Sequence, residues 1–332
     1  MANAPIVLKS REIDDDTLRQ MLRAAFASEH ALDGFFEQFE YHFPEQPFLT
    51  LERGEALLGR CKEVAPREYE ELRKGTPFYW LARAAFAVRD YETAAFYIDA
   101  AVSDDLRAAD DRGDDRSKTS SPAVLFFLVD DEDPKQASIA LVKHLRAKIE
   151  DAITSYNSRQ GAVPLVFSDI QSRFFRPAIT KGSEHLRTQV TTFVSFILEW
   201  EHRSHLIELR SEQGTAEPFF LHLFKGCVLF ETLLRAKVPR GSNTLEKVLT
   251  AMYPQLGLAT APMIGRSDFQ TVVNGLMKDD GSICSAIEQT GRIRNATGHN
   301  LGWAVSLNGS QYNSLAGSVA SSCLHALACL HR

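Results

Sequence analysis

Residues 217–237 read EPFFLHLFKGCVLFETLLRAK. In this stretch Phe220, Leu223, Cys227, Phe230 and Leu234 fall three and four residues apart. That is the spacing of one apolar face on an α-helix, because 3.6 residues make a turn. Upstream, Leu186, Val190, Phe193 and Ile197 repeat the pattern. Period-2 alternation with β-branched residues, the mark of a half-buried strand, is scarce. Val163 to Phe167 is the one strand candidate, and it reads equally well as a loop or a helix start. The fold class expected is therefore all-α.

Working outward, the chain has 332 residues, 44% hydrophobic and 24% charged, with a formal net charge of −6. This is globular composition, long enough for two domains, and it argues against disorder, collagen and a coiled-coil rod. The negative charge excludes a protein that coats nucleic acid over its whole surface, since phosphate contacts need Lys and Arg. The longest clean apolar run, Ala123 to Val129, is far short of the roughly 20 residues a spanning helix needs. No membrane partner is expected, and the N-terminus has too short an apolar stretch for a signal peptide. Cys61, Cys227, Cys284, Cys323 and Cys329 are odd in number, and no CxxC occurs. Thiols in a reducing, cytoplasmic setting fit that pattern better than disulfides or zinc.

Two regions are expected. Residues 1–180 form a helical N-terminal region. Within it, 78–103 reads as one tetratricopeptide-like hairpin: Ala82, Ala94 and Ala101 allow close approach, Trp80, Leu81, Phe86 and Ile98 fill the gaps, and Arg89-Asp90 turns the chain. A solenoid needs about three such units and no second copy follows at 34-residue spacing. Residues 104–122 carry six Asp, three Arg, one Lys and one Gly, and read as an acidic, solvated loop. Residues 183–332 supply a helical bundle, with helices expected over 183–211, 217–237, 244–253, 267–278, 282–306 and 312–331. Capping-box-like starts occur at Asn243 (with Glu246) and Ser267 (with Gln270). Charge divides unevenly: residues 217–332 hold +3 and residues 1–216 hold −9.

The segment with most chemistry in it is Gly291-Arg292-Ile293-Arg294-Asn295-Ala296-Thr297-Gly298-His299-Asn300-Leu301-Gly302-Trp303. Of the ten histidines, only His299 has an arginine five positions upstream. Here the chain resembles the HEPN superfamily (higher eukaryote and prokaryote nucleotide-binding domains), whose ribonuclease members carry an Arg, usually a polar residue, and a His after four to six intervening residues. Arg294, Asn295 and His299 match with four; Arg292 matches with six. The resemblance covers a bit under half of the chain. It implies a compact bundle of four or five helices with the motif on a late helix. It also implies a homodimer that builds a composite Arg/His site, and a metal-independent endoribonuclease leaving a 2′,3′-cyclic phosphate and a 5′-OH. Such domains serve as toxins or antiviral-defence effectors. The acidic N-terminal region is then the candidate surface for a protein partner or inhibitor.

The residues suit that chemistry. Imidazole titrates near neutrality, so His299 can take the 2′-OH proton or protonate the leaving oxygen. The Arg294 guanidinium presents a fixed fork of donors to phosphate oxygens. Asn295 shares a face with His299 at i, i+4 and can hold the imidazole tautomer or a phosphate oxygen. Arg294 lies about 140° from His299 around an ideal helix, which suits a site shared between two copies. Glu231, on the apolar helix 217–237, is a supporting candidate that would orient Arg294 or His299; the alternative is a surface pair with Arg235 at i+4. Trp303 is a further candidate, for base stacking, although anchoring the core is the commoner use of such a residue. His202 and His205 lack a third ligand at useful spacing and read as a polar helix face. Phosphate-loop, dinucleotide, HExxH and GxSxG motifs are all missing, and no cofactor is called for. RNA is the expected partner. The competing reading is a non-catalytic adaptor whose bundle dimerises or holds a nucleotide.

Overall fold

The computed structural model describes residues 13–27, 46–133, 138–209, 215–238, 244–265, 268–275, 279–297 and 305–331. Among these there is no strand, only an isolated bridge between Gln160 and Ser282, and the fold is all-α. No described helix is long and apolar enough to cross a membrane. The chain divides into two compact units, Met1–Ser138 and Ile139–Arg332.

The first unit contains α1 (Asp15–Ala27), α2 (Pro47–Val64), α3 (Pro66–Glu71), α4 (Gly75–Ala87), α5 (Tyr91–Asp111) and α6 (Pro122–Phe127). The expected hairpin is α4 and α5, which pack more extensively on each other than any other pair of described helices. Ala82, Ala94 and Ala101 are fully buried, so two backbones approach where a larger side chain would hold them apart. Trp80, Leu81 and Ile98 are buried beside them, and Phe86 sets its ring against Phe126. The turn needs a left-handed residue, which is Arg89 at φ 63°, and Asp90 then caps α5 by accepting from the Thr93 amide.

The acidic stretch is a correction to the sequence expectation. Residues 104–122 do not form one loop; α5 runs on through Asp111. Asp104 is buried and accepts from the amides of Lys74 and Gly75 at the start of α4, and from Arg107. A carboxylate at a helix start offsets amides that have no intrahelical partner. Only from Arg112 does the chain become the exposed, ion-paired connection that composition suggested, with Arg112 on Asp114 and Arg116 on Asp110.

The boundary also moves. Residues 139–180, expected with the N-terminal region, belong to the second unit. This unit contains α7 (Ile139–Asn157), α8 (Phe167–Ile170), a π turn at Gln171–Phe175, α9 (Arg176–Thr180), α10 (Glu184–Leu209), α11 (Glu217–Arg235), α12 (Leu245–Met252), α13 (Phe269–Gly275), α14 (Ile283–Thr297) and α15 (Gly309–Leu330). Val163 to Val166 is irregular chain that leads into α8.

Helix α15 is the axis of the unit: α7, α10, α11 and α14 all pack on it. Its sequence explains why. Ala316, Ala320, Cys323 and Ala326 are buried and small, so four helices can crowd one. Polar residues on α15 are satisfied within the core. Ser318 donates to Gln289, and the Ser322 hydroxyl pairs with Thr290. His325 donates from Nε2 to the Leu256 carbonyl at 2.8 Å, which leaves Nδ1 to meet the Tyr156 hydroxyl at 3.0 Å. The Tyr156 bond, with Arg159 reaching Ser318 and Ser321, ties α7 and its C-terminal extension to the axis and accounts for the moved boundary.

Candidate functional site

Helix α14 carries the Arg–Asn half of the motif. Ile283, Ile287, Thr290, Ile293 and Ala296 are buried, which fixes the roll of the helix against α15 and α11. Arg294, one position on from Ile293, therefore comes out at the seam between α14 and α11, a third exposed. Its Nε donates to Glu231 Oε2 at 2.9 Å. Among the described residues no other group takes up the guanidinium, so its two terminal NH2 groups remain available to an anion.

Glu231 is nearly buried on α11 and uses its second oxygen as well. Oε1 accepts from Arg235 Nε at 2.8 Å and from the Arg235 terminal NH2 at 2.6 Å. The two roles weighed for Glu231 are thus both present: it pairs with Arg235 at i+4 and it holds Arg294 across the helix seam. One carboxylate thus lies between two guanidiniums. Two contacts orient the Arg235 guanidinium, and the Nε bond turns the terminal NH2 groups of Arg294 away from the carboxylate.

The other motif residues fall elsewhere. Arg292 is on a different face of α14, near Glu288 at 3.8 Å and the Met263 carbonyl at 3.4 Å. It does not join Arg294. The Asn295 amide donates to the Ile264 carbonyl at 2.9 Å, which pins the segment following α12 to α14. Glu288 fastens the same segment by accepting from the Met263 amide at 3.0 Å. Gly291 makes that approach feasible: a Cβ there would stand 2.3 Å from Ile264 Cγ2. Thr297 bonds back to the Ile293 carbonyl in the last turn of α14. His299 and Trp303 lie outside the described residues.

Sequence reasoning treated Arg235 only as the surface partner in an alternative reading, yet it shares the carboxylate that orients Arg294. The signal was present in the i, i+4 spacing of Glu231 and Arg235. The Ile264 segment had no such signal, because its contact with Asn295 is made by a backbone carbonyl. Cys227, one turn before Glu231, is fully buried, and that burial pushes its thiol well above the usual range, so it offers no thiolate nucleophile. Compared with protein-family models, curated proteins and solved structures, the chain matches none.

Proposed function

We propose that the second unit is an endoribonuclease module in which Arg294 and His299 act on an RNA phosphodiester. The observation that carries this reading is the Arg294–Glu231 pair, which holds a guanidinium in one orientation at an accessible helix seam with its outer donors open. His299 takes the 2′-OH proton as the oxygen attacks phosphorus, and charge grows on the non-bridging oxygens. Arg294 meets that charge through preorganised donors, the arrangement that lowers such barriers most. The leaving 5′-oxygen needs a proton, which a second imidazole supplies if two copies of the chain face each other; the product is then a 2′,3′-cyclic phosphate. No step calls on a metal. Arg235 adds a second cation for the flanking backbone. In a cell such a module acts as a toxin or antiviral-defence effector, with the acidic N-terminal unit as the surface for a restraining partner.

A second reading, a non-catalytic adaptor that dimerises or holds a nucleotide, is favoured by one observation. The Asn295 NH2 donates to the Ile264 carbonyl, which gives that side chain a structural use in holding the segment after α12. End-labelled RNA incubated with the chain in excess chelator separates the two. The nuclease reading expects cleavage that falls by about 10²–10⁴ in His299→Ala and about 10²–10³ in Arg294→Ala. Cleavage that survives both substitutions rejects the site. No cleavage of any RNA by folded protein favours the adaptor.

A further inference from the structure

A cleft of about 290 Å³ opens on another side of the axis, where α7, α10 and α15 meet. Its floor is apolar, made by Ala152, Ile197 and the indole of Trp200. The polar groups on its walls have an unusually well-determined polarity. Asn313 Oδ1 lies 2.9 Å from Trp200 Nε1 and 2.5 Å from the Ser204 hydroxyl. An indole N–H can only donate, so the atom facing it must be the amide oxygen. The Asn313 NH2 therefore points away from both partners. No described group accepts from it, and it is not a buried orphan, so it meets solvent at the cleft. The Trp200 ring is held in place over Gly317, one turn along α15, where a Cβ would sit 3.8 Å from it.

The charges on the rim exclude an anion. Lys148 is paired with Glu201 Oε1 at 2.9 Å, and the other Glu201 oxygen takes His144 at 2.6 Å. Asp151 is exposed at the rim and no described residue pairs with it. The site thus offers a flat apolar floor, a fixed pair of donors, a free carboxylate acceptor, and no spare cation.

We propose that this cleft binds an uncharged lactam heterocycle, a hydroxypurine or pyrimidinone base or its nucleoside. Its ring carbonyl would accept from the Asn313 NH2, its ring N–H would donate to Asp151, and its face would lie on Trp200, Ile197 and Ala152. The volume is near the lower end for small-molecule sites, which fits a nucleoside and excludes much larger ligands. The binding is a steady-state recognition event separate from the Arg294 seam, and it does not rest on the RNA reading.

The test is a titration of the full-length chain, with binding followed by saturation transfer from protein to ligand protons and by the fluorescence of a variant that keeps Trp200 as its one tryptophan. The probes are inosine, uridine, adenosine and inosine 5′-monophosphate. Inosine or uridine is expected to bind saturably, adenosine more weakly for want of the ring carbonyl, and the monophosphate more weakly than inosine. Asn313→Asp is the decisive variant: it keeps the oxygen that Trp200 and Ser204 need and puts a charged carboxylate oxygen, which cannot donate to a ring carbonyl, in place of the NH2 donors. It should raise the Kd roughly tenfold or more with unchanged helical content. Asp151→Asn should weaken binding as well. No saturable transfer from either lactam nucleoside up to about 1 mM overturns the proposal. So does binding that is unaltered in Asn313→Asp, or an adenosine Kd equal to that of inosine.

Discussion

At the scale of single residues, the instructive group is the Glu231 carboxylate, because it decides what two arginines can do. Each guanidinium is about a third exposed while the carboxylate is nearly buried. The pairing is therefore worth more as orientation than as stability, since solvent screens exposed partners. Arg235 follows as a test. Every phosphate that a cation neutralises on single-stranded RNA adds about 0.7 to the slope of log affinity against log salt. Arg235→Gln should lower that slope by about 0.7, as Arg294→Gln should, while leaving the helical content and the unfolding midpoint close to wild type. A slope unmoved by Arg235→Gln in a chain that still binds RNA would remove Arg235 from the contact. At this scale the sequence made half of the site legible. Arg294 and Glu231 could be paired on residue type and helical position. The double use of Glu231 could not be chosen over a single use, because either geometry satisfies the same spacing. The contact that Asn295 makes could not be read either, since its partner is a carbonyl from a segment with no pattern of its own.

Among elements, the helices were readable and their register against each other was not. The apolar steps at 220, 223, 227, 230 and 234 place α11 within two residues of its observed end. Starts were less exact: Thr244 accepts from the Lys247 amide and Asp268 from the Thr271 amide, each one residue past the cap expected from spacing, and both expected caps lie outside the described residues. The acidic run misled because composition is blind to length. Asp104 and Asp105 sit on a helix whose apolar face continues through Leu106 and Ala109, and Asp104 is buried because α4 offers it amides. Close approach is the other property that periodicity does not report. On α11, Gly226 faces α10 and α15; a Cβ there would stand 2.5 Å from Val319 Cγ1 and 2.6 Å from Phe196 Cε2. Neither neighbour is a flexible chain end that can swing aside, since Val319 and Phe196 are fully buried. Gly226→Ala is accordingly expected to destabilise the fold by roughly 1–3 kcal/mol, although alanine is the better helix former. Urea unfolding with circular dichroism measures it, and a midpoint at or above wild type would mean that the three helices have room to part.

Over the whole molecule, the buried titratable groups of the two units predict acid responses of opposite sign. In the second unit His222 is buried between α10 and α15. Its ring stacks on Phe196 at 4.4 Å, Nε2 donates to the Phe196 carbonyl at 2.9 Å, and the Tyr312 hydroxyl meets Nδ1 at 2.8 Å. Burial pushes its pKa down to about 4, with Lys225 and Arg203 pushing the same way and Glu199 opposing. His325 is lowered too, again by burial. A base with a depressed folded pKa takes its proton more readily when unfolded, so stability is full above about 6.5 and falls as pH drops toward 4. His222 alone costs at most about 1.4 kcal/mol per pH unit over that window. In the first unit, burial raises Asp105 to about 6. A carboxyl with a raised folded pKa binds its proton more readily when folded, so its contribution is full below about 3.8 and is lost as pH rises through about 6. Acidification from pH 7 to pH 5 should therefore lower the urea midpoint reported by Trp200 in the second unit. It should leave the midpoint reported by Trp80 in the first unit level or raised. Single-tryptophan variants followed by fluorescence separate the two signals. His222→Gln, which cannot protonate, should flatten the pH dependence of the Trp200 midpoint by close to one proton's worth, whatever it does to the midpoint at pH 7. Equal acid shifts at both tryptophans, or a slope unchanged by His222→Gln, would mean that neither buried group governs the response.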